Sequence, residues 1–91
     1  MIQRSISLER ALQRETLRFA GSLAVIVFYA GELPPDCNGS ASGERISQRK
    51  ADEDTVRRLA AGTPPPMPEG ASYWRLYDAN GNVVMQGGAD A

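Results

Sequence analysis

With 91 residues, 42% hydrophobic and 23% charged, the chain has the composition of a single globular domain (residues 1–91) and is too short to build a second core. Ten basic and eleven acidic side chains leave a formal charge of −1, which excludes a general electrostatic pull toward nucleic acid or an anionic membrane. A single cysteine, Cys37, and the lack of any histidine exclude an internal disulfide and the usual zinc and haem sites, and remove the commonest general base.

Taken in chain order, Ser7 to Ala20 reads as an N-terminal helix, with Ser7 as N-cap, Glu9 in the first turn and Gly21 as terminator. Leu8, Ala11, Leu12 and Phe19 fall along one face that Glu15 interrupts, so the helix is expected at the domain's edge. Arg10, Arg14 and Arg18 recur at four-residue spacing on another face, as either a solvated ridge or a docking surface for an acidic partner. The apolar run Phe19 to Gly31 has the length of a signal-peptide core, but Glu9 and Glu15 precede it, and Phe28 stands where cleavage wants a small residue. It is also shorter than the roughly 20 apolar residues of a membrane span, so neither export nor insertion is expected.

From residue 22 to 88 the chain reads as a β-rich body. Leu23 to Ala30 is unbroken apolar sequence rich in Val, Ile, Phe and Tyr between glycines, as in a core strand covered on both faces. Pro34 to Gly43 is loop by composition. Cys37 within it reads as an exposed thiol, and with no basic neighbour in sequence to activate it, as a bystander rather than a nucleophile. Glu44 to Arg49 and Thr55 to Ala60 read as two short strands around a charged turn, Lys50 to Asp54, although Val56 to Leu59 also suits a single helical turn. Gly62 to Gly70 is a stiff proline-rich connector, since consecutive prolines donate to neither ladder nor helix.

Ser72 to Gly87 is a hairpin, with Tyr73, Trp74, Leu76 and Tyr77 on one strand, a turn at Asp78 to Asn82, and Val83, Val84 and Met85 on the return. Asp78, Asn80 and Asn82 imitate the start of a calcium loop, but the glycine comes fourth rather than sixth and no late Glu follows. The alternation puts Trp74 and Leu76 on one face, the core, and Tyr73, Arg75 and Tyr77 on the other. That second face is the candidate contact surface, since Tyr, Trp and Arg are enriched at binding hot spots.

Phosphate loops, nucleophile elbows and paired cysteines do not occur, and the run Asp52, Glu53, Asp54 reads as a solvated charge cluster. No enzyme activity, cofactor or metal is therefore expected.

Val25 to Gly31 (VIVFYAG), Pro34, Pro35 and Gly43 to Ser47 (GERIS) form an aliphatic-aromatic strand, a Pro-bearing loop and a Gly-led strand. Ala71 to Gly87 (ASYWRLYDANGNVVMQG) adds Trp74, Arg75, Asp78, Gly81, Val84 and Gly87. Over Val25 to Gly88 the chain resembles small accessory proteins encoded among the virion genes of tailed bacteriophages. Members of that family run on into further β-strands after the last glycine, so the resemblance implies a sheet with an open edge that a neighbouring subunit fills.

The expected fold is mainly β with one N-terminal α-helix, as a small antiparallel β-sandwich or partial barrel. The expected function is that of a phage virion accessory structural protein, a capsid decoration or cement subunit that forms homo-oligomers and binds other virion proteins. The alternatives are a head-tail or tail component, a phage-encoded inhibitor of a host protein, and a carbohydrate-binding module using Tyr73, Arg75 and Tyr77. The expected location is the virion, and the host cytoplasm during assembly.

Overall fold

The computed structural model describes residues 2–4, 24–79 and 81–88. The expected helix Ser7 to Ala20, with Arg10, Arg14 and Arg18, lies outside them. The fold is mainly β: five strands, β1 (Ile2–Arg4), β2 (Val25–Ala30), β3 (Glu44–Lys50), β4 (Tyr73–Tyr77) and β5 (Val83–Gly88), with one helix, α1 (Glu53–Ala60). Among the described residues the strands make one sheet in the order β1-β5-β4-β2-β3, and every neighbouring pair is antiparallel.

β2 is an internal strand with apolar side chains on both faces, as its unbroken hydrophobic run requires. On one face Ile26 and Phe28 join Trp74, Leu76, Val84 and Met85, and Val56 and Leu59 of α1 close over them. Met67 and Ala71, from the segment after the prolines, pack against the same cluster. On the other face Val27, Tyr29 and Tyr73 form a smaller cluster bordered by Val25, Leu33 and Tyr77. The chain thus covers its sheet with a helix and connector on one side and the loop after β2 on the other.

Thr55–Ala60 is helical, not the strand expected from its short mixture of polar and apolar residues. Asp52 acts as N-cap, its carboxylate accepting the Thr55 N–H at 2.8 Å, and Glu53 and Asp54 occupy the first turn, where negative charge suits the helix dipole. Val56 and Leu59, three residues apart, then share the buried side of a helix. In a strand the same two would point to opposite faces.

The loop after β2 returns to the sheet through a close backbone approach. Gly43 has φ +81°, and a Cβ there would sit 1.6 Å from the Ala30 carbonyl oxygen. Gly62 also has positive φ, +97°, but a Cβ there meets open space. Gly43→Ala is therefore expected to cost at least about 3 kcal/mol, from left-handed strain plus a backbone collision. Gly62→Ala is expected to cost about 1–2 kcal/mol from strain alone. Urea unfolding of the two variants measures the difference; equal costs would contradict this close approach.

Candidate functional site

The face carrying Tyr73, Arg75 and Tyr77 is built by β2 and β4, whose register sets Val27 opposite Arg75 and Tyr29 opposite Tyr73. On the other side of β4, Gln86 of β5 stands opposite Arg75. The structure divides the expected contact surface. Tyr73 and Arg75 are buried, at 0% and 2% exposure, so neither is available to a partner protein or to a sugar. Tyr77 alone of the three is partly exposed.

Loop residues 31–42 bury the first two because their polar ends find backbone partners there. The Tyr73 hydroxyl donates to the Ser42 carbonyl at 2.6 Å and accepts the Ser42 N–H at 2.9 Å. Arg75 Nε donates to Gln86 Oε1 at 2.9 Å, and Gln86 Nε2 donates onward to the Pro34 carbonyl at 2.8 Å. A longer contact of 3.5 Å joins Arg75 Nη2 to the Asp36 carbonyl. Among the described residues these guanidinium contacts end on neutral oxygens, and hydrogen bonding supports the burial there.

Cys37, within this loop, is also buried, at 8% exposure, and not exposed as its surroundings in sequence suggest. Burial raises the thiol pKa above its ordinary value, against the opposing pull of the Arg75 guanidinium. A buried, protonated thiol is a poor nucleophile.

What remains open on this face is a cleft of about 470 Å³. Val25, Val27, Tyr29 and Tyr77 supply its apolar and aromatic lining, with Arg45 and Gln48 of β3 also lining it. The Tyr29 ring stacks on Tyr73 with centroids 5.0 Å apart, and its hydroxyl lies 2.7 Å from that of Tyr77. Burial, then the hydrogen bond to Tyr77, pushes the Tyr29 hydroxyl pKa well above the ordinary 10.0. The hairpin turn closes one end: Asp78 N–H donates to the Asn82 carbonyl, and Asp78 Oδ1 accepts the Asn82 N–H, both at 2.9 Å. The Asp78 carboxylate thus serves the turn. Among the described residues no three His, Cys, Asp or Glu side chains gather as a metal site would require.

A second concavity, of about 550 Å³, lies on the helix side of the sheet. Arg49, Lys50 and Arg58 line it with Thr55, Thr63 and the run Pro64–Pro66. Nothing local in the sequence signals it, because Lys50 and Arg58 line one concavity only once Ala51 and Asp52 turn the chain from β3 into α1.

Gln86→Leu leaves Arg75 Nε and the Pro34 carbonyl without a partner and is expected to cost about 1–3 kcal/mol, while the double variant Arg75→Met, Gln86→Leu regains part of the loss. Chemical denaturation of both single variants and the double completes that cycle. Because the folded state holds the Tyr29 proton more tightly than the unfolded state does, that contribution is intact below pH 10 and is lost as pH rises above it. Unfolding midpoints recorded from pH 8 to 11 should fall more steeply for the parent protein than for Tyr29→Phe. The chain matches no known family model, no curated protein and no solved structure.

Proposed function

We propose that this protein is an accessory structural subunit of a tailed-phage particle, a capsid decoration or cement protein acting by protein–protein binding rather than by catalysis. The observation that carries the reading is the open cleft beside the Tyr29–Tyr77 hydroxyl pair. It combines an apolar aromatic floor with Arg45 and Gln48, the anatomy of a protein contact, where aromatics and Arg are favoured and polar groups form the rim.

The resemblance to phage accessory proteins supports the same reading. The segments that carry it, Val25 to Gly31, Gly43 to Ser47 and Ala71 to Gly87, contribute to β2, β3, β4 and β5, four adjacent strands of the sheet. Several of their marked residues have positions explained by folding: Trp74 lies in the core, Asp78 holds the turn, and a Cβ on Gly87 would come within 3.0 Å of the Trp74 indole. A partner bound over the cleft would complete a second layer on this half of the sheet, giving a sandwich-like arrangement. β3 and β1 are the outer strands of the described sheet, and they offer the edges along which other copies or virion proteins would join.

Mass spectrometry of purified particles from the source is expected to detect this chain in stoichiometric amount. Arg45→Glu with Gln48→Glu, both on an exposed strand, should reduce its incorporation at least about tenfold while leaving thermal unfolding unchanged. Particles that lack the parent chain, or that take up the double variant normally, would end this proposal.

A further inference from the structure

We infer that the basic groove between β3, α1 and Pro64–Pro66 is a binding site for an extended acidic segment of a partner protein. It lies on the opposite side of the sheet from the Tyr29–Tyr77 cleft, and the inference does not depend on the particle reading.

Three observations converge on it. First, Arg49, Lys50 and Arg58 all line one concavity in a chain whose formal charge is −1 overall, so the positive charge is local. Asp52 also lines it and caps α1 through the Thr55 N–H, which holds its pKa below the ordinary value, so it stays charged and offsets one of the three cations. Arg58 also has an ion pair with Asp54 at 3.0 Å, but both side chains are 70% exposed, so solvent weakens the attachment and Arg58 can exchange it for a ligand carboxylate.

Second, the wall is stiff and placed in advance. The Thr63 N–H donates to the Arg58 carbonyl at 2.9 Å and the Gly62 N–H to the Leu59 carbonyl at 3.1 Å, which fixes the point where the proline run leaves the helix. Pro65 is buried, anchoring the run from below. A wall that loses little entropy on binding favours an extended guest.

Third, the lining is mixed. Pro64 and Pro66 offer apolar surface beside the cations, while Thr55 and Thr63 offer hydroxyls. That suits a peptide bearing an apolar or aromatic side chain between carboxylates. Nucleic acid fits less well, because the three cations line one short concavity rather than the extended track a phosphate backbone would follow.

The test is an amide NMR titration of the full chain with the capped peptide Glu-Glu-Trp-Glu-Glu, with Lys-Lys-Trp-Lys-Lys and a 20-nucleotide oligo-dT as comparisons. The expected result is saturable binding of the acidic peptide alone, weakened by salt, with shifts concentrated between residues 49 and 66. Lys50→Gln and Arg58→Gln should each weaken it about two- to fivefold, and Arg45→Gln on the other face should leave it unchanged. Thermal unfolding of each variant verifies its fold. No saturable response, equal binding of the basic peptide, preference for oligo-dT, or insensitivity to both groove substitutions would overturn the assignment.

Discussion

The structure depends on the pairing of β2 with β4. These strands lie nearly fifty residues apart in sequence, and their register determines which side chains meet on both faces at once. On one side it sets Phe28 opposite Trp74 and Ile26 opposite Leu76, giving α1 a surface to cover. On the other it sets Tyr29 opposite Tyr73, and the loop after β2 fastens onto that tyrosine. A slip of one residue would exchange the two faces and present Arg75 to the helix. The apolar face and the polar network beneath the loop are therefore specified together.

The two sides are stabilised differently. The helix side rests on apolar burial and tolerates Trp74 Nε1 without a hydrogen-bond partner among the described residues. The loop side rests on a chain of directional bonds from Arg75 through Gln86 to Pro34, and from Tyr73 to Ser42. Such bonds add modest net stability but strongly penalise wrong arrangements, because each unmet group is buried. A loop rich in Gly, Pro and Ser is in this way held in one conformation.

The strands that bury both faces were legible in the sequence, because the apolar run before Gly31 and the Asn-Gly turn after Tyr77 are local signals. So was the strand at Glu44 to Arg49. The helix at 53–60 was misread although its signals were present: Asp52 with the two acids after it is a helix start, and Val56 with Leu59 has helical spacing. A mixture of polar and apolar residues only six long carries too few periods to separate a strand from a short helix. The burial of Tyr73, Arg75 and Cys37 was not legible, since period-two reasoning tells which side chains share a face but not what lies over it. Likewise, the groove at Arg49, Lys50 and Arg58 exists only through the turn between two elements, one of which was assigned the wrong type.

The distance between β2 and its partner also bears on synthesis. At ribosomal rates of about 5–20 residues per second, the chain carries a finished β2 for about 2–10 seconds before β4 exists to pair with it. β3 is made sooner and pairs with β2, but it covers only one edge of that strand and neither apolar face. The ribosomal exit tunnel encloses β2 for much of that time, so its apolar faces are exposed between its emergence and the arrival of β4. A chaperone matters most in that interval.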